Sequence, residues 1–378
     1  MPRADVAAAA AGFGCLLGIV GVVAAADQST FAAGSPLGAP GSWQTVLDVG
    51  LVVAVVAYAI GVWLTWRWPP RLVTVSVLAV AIQVTALAGP LLLSTDADSY
   101  ATWGRAARPY HEQDGWGEPT SYGTLWTIVS APIAHFHDPE RGYRVLACLC
   151  ALAVTAGAAF LARNRAAAVA FVGWNPLIAL HAAGGGHNDF LLMVVVIGAL
   201  ILERFGRLGA AQIAWAAAIW IKWIPLLFYL PWLIQRYRTG KPLKLAWFVG
   251  ANVALLALSF GRFGLDWLNA FSNGARAERA PSSLGIGAWL PDIGFNHRET
   301  VAFGFSMLLV VAIAAMYLAW RRRARLGLTA SFVALSFLRF DPWYLSWGIG
   351  LSGADEDPLG RILAVVMTAV LLTDVLPR

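Results

Sequence analysis

The chain has 378 residues, 59% hydrophobic and 13% charged, with mean hydropathy +0.66 and net charge +6. These figures exclude a soluble globular domain and a disordered chain. The positive charge lies in short connections between apolar runs, so it belongs to membrane topology and excludes a nucleic-acid footprint.

A bilayer span needs about 20 apolar residues, and such runs recur along the whole chain. They predict an all-α, polytopic integral membrane protein with 11–13 transmembrane segments in one domain covering 1–378. Val6–Ala26 is the first run; its Ala24-Ala25-Ala26 end mimics a signal-peptidase site, but with only Arg3 before it the run reads as an uncleaved span. A polar stretch over 27–45 is followed by Val46–Trp66 and Leu72–Leu93. A long loop over 94–142 comes next, with a short apolar piece, Leu125–His135, that lies along the membrane surface or re-enters it. Further runs are Tyr143–Ala162, Ala166–His181, Phe190–Leu202, Leu208–Ile221, Ile224–Ile234 and Leu245–Phe260. After a second polar loop, 261–299, come Val301–Trp320, Leu326–Leu338, Trp343–Leu351 and Leu359–Leu376. Phe190–Leu202 and Trp343–Leu351 are too short to span unaided. Such pieces are tolerated only where protein or a cavity surrounds them. Cys15, Cys148 and Cys150 all fall inside apolar runs, an odd set that reads as packing and not as a disulfide framework or a zinc site.

Basic residues fall in alternate connections: Arg67/Arg71, Arg163/Arg165, Arg204/Arg207, Arg236–Lys244, Arg321–Arg325 and Arg361. The positive-inside rule puts that side in the cytoplasm. Asp96, Asp98, the Gly184–Asp189 turn, Lys222, the 261–299 loop and Arg339–Tyr344 then emerge together on the outer side.

Four stretches carry candidate chemistry. Ser94–Tyr100 places Asp96 and Asp98 directly after an apolar run, leading into a connection rich in aromatic and basic residues, Tyr100, Arg105 and Tyr122 among them. Long loops of this kind tend to be functional. Gly184-Gly-Gly-His-Asn-Asp189 is either a tight turn with polar tips or a ligand turn, and its single His and Asp supply too few donors for a metal. Lys222 interrupts a stretch that is otherwise apolar. It either caps a hairpin tip or faces a cavity, where an anionic phosphate suits a point charge. Arg339 and Asp341 either pair with each other or, with Tyr344 and neighbouring tryptophans, meet an anionic head group and a sugar ring. In the 261–299 loop, Arg276, Arg279 and His297 are weaker candidates. Walker, dinucleotide, His-Glu-x-x-His and nucleophile-elbow motifs are absent. A cytoplasmic nucleotide-sugar enzyme is therefore disfavoured, and a lipid-borne donor is the physical alternative.

Together these stretches resemble the GT-C superfamily of polytopic glycosyltransferases, in particular actinobacterial polyprenol-phosphate-mannose-dependent α-mannosyltransferases of the kind that elongate lipomannan. The matching residues are Asp96-Ala-Asp-Ser-Tyr100 with Gly104, Ser121–Trp126, Asn175-Pro-Leu, Gly185–Asp189, Lys222 with Pro225, Leu230-Pro231 and Pro342–Leu345. The resemblance implies an inverting transferase of the plasma membrane, with its site on the outer face. The base falls on Asp96, with Asp98 an extra carboxylate; His187, Asn188, Asp189, Lys222, Arg339 and Tyr344 would bind the donor's phosphate and sugar. Tyr100, Arg105, Tyr122, Arg276 and His297 are acceptor-side candidates. Implied partners are the lipid membrane, a polyprenyl-phosphate sugar and a glycan or glycolipid acceptor, with no cofactor or metal required. Another donor sugar (arabinofuranose or glucose), a lipid-linked-sugar flippase and a non-catalytic scaffold remain as alternatives.

Overall fold

The computed structural model describes residues 2–27, 41–112, 118–277 and 285–373. The polar stretch over 28–40 and Arg279 lie outside them. Among the described residues the regular elements are all helices, with no strand, and they form a multi-pass membrane protein. Five helices are long and apolar enough to cross a bilayer: Arg3–Asp27, Ser42–Arg67, Pro139–Leu161, Leu245–Phe263 and His297–Trp320. A sixth candidate is the pair Arg165–Gly173 and Pro176–Gly184, bent by 52°. The expected 11–13 segments counted shorter apolar helices too, among them Leu72–Ala88, Leu208–Ile221, Leu326–Leu335 and Pro358–Leu372.

The chain groups into two compact units, each assembled from separated stretches. The first comprises residues up to Ala97, Glu140–Val194 and the part from Ile349 onward. Its first two long helices pack through small residues: a Cβ on Gly18 would come within 2.5 Å of the Ala54 nitrogen and 2.6 Å of the Gly50 oxygen. Close backbone approach of this kind is how helices associate where lipid removes the hydrophobic drive. The bent pair breaks at Asn175-Pro176. Proline cannot donate to the preceding turn, and Asn175 caps the new helix by accepting from the Leu177 and Ile178 N–H groups at 3.0 and 3.2 Å. Its amide also donates to the Tyr58 hydroxyl at 3.0 Å and to Thr368 at 2.9 Å. The second half-helix widens into a π turn over Leu180–Gly184, and this turn delivers the chain to His187. Single π turns inside helices are frequent at functional sites.

The second unit comprises Asp98–Pro139 and Val195–Gly348. Few residues of Leu245–Phe263 and His297–Trp320 are buried within the protein, as in lipid-facing helices. The 94–142 connection carries helices at Asp96–Arg105 and Thr124–Ser130 and a 3₁₀ turn at Ala131–His135. Gly123 sits on the carbonyl of Trp220, where a Cβ would fall 2.1 Å from that oxygen, so Thr124–Ser130 docks directly on the end of Leu208–Ile221.

Candidate functional site

The apolar run that begins at Leu72 stays helical only to Thr85, with one 3₁₀ turn to Ala88, because Gly89-Pro90 cannot continue it. The backbone then runs irregularly to Asp96, with Leu93 at φ 64°, a left-handed conformation uncommon for a leucine. Asp96 opens the next helix, its N–H donating to Ser94 Oγ at 3.0 Å. Its carboxylate Oδ2 lies 3.0 Å from His187 Nδ1. The histidine is fully buried and the aspartate side chain is 22% exposed, so one member of the pair is sealed and the other accessible. Asp98 is exposed.

The glycines preceding His187 serve this geometry. Gly186 has φ +74°, which a side chain would strain, and a Cβ on Gly185 would lie 2.8 Å from His187 Nε2. The ring occupies the space that a side chain at 185 would need. The adjoining Asn188 and Asp189 are 1% and 0% exposed, and Asp189 is the first residue of the Asp189–Arg204 helix, where its charge suits the positive end of the macrodipole.

In the second unit, Leu208–Ile221 ends where Lys222 turns extended, φ −154° and ψ 138°. The Lys222 ammonium lies 4.5 Å from the Tyr344 ring centroid, 5.2 Å from Trp347 and 5.5 Å from Tyr122. Those are cation–π distances. Tyr344 and Trp347 stack at 4.8 Å, and Phe337 closes on both at 5.7 and 6.3 Å. Phe337 also lines a largely apolar groove of about 230 Å³ together with Val301, Gly304, Phe305 and Leu308. Arg339 pairs with Asp341 at 3.3 Å. Buried Tyr100 meets Tyr122, hydroxyl to hydroxyl, at 3.4 Å, with Trp126 edge-on at 4.9 Å. Arg105 donates to the Ala134 carbonyl at 2.8 Å, and Arg276 pairs with Glu112. His297 is exposed at the first turn of its helix, beside the Asn296–Glu299 capping box.

The profile of glycosyltransferase family 87 matches residues 120–340. The chain belongs to glycosyltransferase family 87. Tyr122, His187, Asn188, Asp189, Lys222, Arg276, His297 and Arg339 fall inside the matched stretch of the family; Asp96, Asp98, Tyr100, Arg105 and Tyr344 fall outside it. The chain is also 26% identical over 328 residues to alpha-(1->6)-mannopyranosyltransferase A of Mycobacterium tuberculosis, covering 70% of this chain and 62% of that protein's length. No solved structure matches the chain.

In this family 87 member Asp96 pairs with His187 of the glycine turn within the first unit, and Lys222 lies among aromatic rings within the second. His187, expected on the donor side, also bonds Asp96. Among the described residues no group of three or more His, Cys, Asp or Glu side chains is arranged to hold a metal ion. Two residues escaped the sequence reading. His181 lies 5.5 Å, ring to ring, from His187, and Arg144 is buried with its guanidinium among backbone carbonyls. His181 stood at the end of an apolar run and Arg144 at the start of another, and neither position distinguishes a site residue from an interfacial one.

Proposed function

We propose that this protein is a mannosyltransferase of the plasma membrane that moves mannose from a polyprenyl-phosphate donor to a lipid-linked or cell-envelope glycan on the outer face, with inversion, using Asp96 as general base. The observation that carries the reading is the 3.0 Å bond between accessible Asp96 and buried His187. Membership of a glycosyltransferase family and the likeness to a mannopyranosyltransferase support the reaction class.

In this reading His187 fixes the rotamer of the Asp96 carboxylate, which takes the proton of an acceptor hydroxyl. The hydroxyl oxygen attacks the anomeric carbon as the bond from that carbon to the phosphate oxygen breaks. The polyprenyl phosphate leaves with the electron pair, and a β-linked donor yields an α-glycoside. The transition state has oxocarbenium character, as in glycoside hydrolysis. Negative charge grows on the leaving phosphate; the family resemblance gives Lys222 and Arg339 the role of meeting it, and a cation that does so stabilises the transition state more than the ground state. The aromatic surround of Lys222 supplies sugar-stacking faces, and the groove beside Phe337 suits an isoprenoid tail.

The test is radiolabelled transfer in nanodiscs from polyprenyl-phosphate-mannose to a panel of mannosylated lipids. Asp96→Asn is expected to lose at least about 10²-fold in kcat, the usual scale for a general base, with Asp98→Asn within a few-fold of wild type. Full transfer by Asp96→Asn would overturn the base assignment. A wild type that transfers only from another polyprenyl-phosphate sugar would overturn the choice of mannose.

A further inference from the structure

Arg144 sits in the first turns of Pro139–Leu161, a membrane-span candidate, and is 4% exposed. A buried guanidinium in such a helix is costly to retain and marks a functional role unless it is fully engaged in structure. Its Nε donates to the Ala183 carbonyl at 2.8 Å, and one terminal nitrogen, Nη2, donates to both Ala86 at 3.0 Å and Gly89 at 2.7 Å. Glu140, one turn earlier, lies 3.5 Å from Nη1. These three carbonyls belong to two segments far apart in sequence. Ala86 and Gly89 close the helix from Leu72 and precede the irregular run to Asp96. Ala183 lies in the π turn that leads to His187. A backbone bond from Leu92 N–H to Gly184 O, 3.0 Å, ties the same segments just beyond the guanidinium. On its other side Arg144 underlies the glycine turn, its Cγ 3.4 Å from where a Gly186 Cβ would be.

We infer that Arg144 is a positioning residue that holds Asp96 and His187 in bonding register, by pinning the backbone that leads into each. The inference rests on the reading of Asp96 as base only for its effect on rate; the positioning itself is independent of the chemistry. The planar fork is what lets one side chain serve carbonyls from two segments at once, and lysine, a compact point charge, does not reproduce it.

The experiment compares wild type, Arg144→Lys and Arg144→Gln in nanodiscs, with ¹⁵N-histidine labelling and the His187 signal assigned by His187→Gln. Asp96→Ala supplies the reference signal of a His187 that has lost its carboxylate. Expected is a folded Arg144→Lys whose His187 Nδ1 resonance moves toward the Asp96→Ala position. Its kcat should fall about 10²-fold, the scale for a displacement of about 1 Å, with donor KM within about twofold. Should the lysine variant not fold, Arg144→Gln, neutral and able to donate to one carbonyl, carries the same comparison. A folded variant with the wild-type His187 resonance overturns the inference, as does failure of both variants to fold, since the arginine is then structural alone. If Asp96→Asn keeps full transfer while Arg144→Lys still shifts the His187 signal, the base assignment fails and the positioning role stands.

Discussion

A carboxylate serves as a base when a hydroxyl can reach it and its own rotamer is held. Asp96 meets both conditions, through its partial exposure and its bond to His187, whereas Asp98 is exposed to solvent. The glycine turn sharpens this. A methyl group at 185 would sit 2.8 Å from His187 Nε2, so Gly185→Ala should push the ring off Asp96 and lower transfer by about an order of magnitude or more. A Gly185→Ala enzyme with wild-type kcat would sink that account. Gly186→Ala acts differently: at φ +74° the added Cβ meets backbone strain first, and the expected result is a loss of about 1 kcal/mol in stability. Both carboxylates and the His-Asn-Asp turn stand out as candidates from their position at the ends of apolar runs. That Asp96 bonds a residue 91 positions away was not, because hydropathy carries no pairing information. Arg144 is harder still to read. Three of its partners are backbone carbonyls, which no residue type announces.

Helix boundaries were more legible than interruptions. Leu208–Ile221 is helical over the range its apolar run predicts, and most other runs shift by a few residues at their ends. The run Leu72–Leu93 stays apolar through the point where Gly89-Pro90 stops the helix, so hydropathy extends it too far. The run Ala166–His181 similarly hides the 52° bend at Asn175-Pro176. This bend depends on one side chain: Asn175 is fully buried, caps two N–H groups and donates to Tyr58 and Thr368. Asn175→Ala should cost about 2 kcal/mol or more, combining a lost cap with buried hydroxyls left short of a donor. A denaturant titration in mixed micelles would measure it, and an unchanged midpoint would mean that the proline alone sets the bend.

For the molecule as a whole, the long polar connections are tied down by charge. Arg108 and His111 both reach Asp266, at 2.9 and 2.8 Å, across 158 and 155 residues of sequence. The Arg108 guanidinium, followed by His111, holds the Asp266 carboxyl below the usual carboxylate range. A depressed folded-state value means the latch contributes fully above about pH 4, the unfolded range for aspartate, and is lost as pH falls through the folded value. Hydrogen exchange over residues 106–112, corrected for intrinsic rates, should therefore quicken between pH 6 and pH 3 in wild type and be fast at both in Asp266→Asn. Equal protection at both pH values in wild type would show that packing, not the ion pair, secures the loop.

The Trp174 ring, whose indole N–H donates to the Val75 carbonyl at 2.9 Å, rests against two glycines from different helices. A Cβ on Gly12 would come within 3.0 Å of that ring, and one on Gly61 within 2.8 Å. Positions 12, 61 and 174 are thus one shared volume, and their substitutions should be epistatic. Trp174→Phe opens a void beside both glycines, and Gly61→Ala alone collides with the larger ring, yet the double variant restores much of the filling and should be more stable than the sum of the single effects allows. Among homologous chains, a smaller residue at 174 should travel with a larger one at 12 or 61.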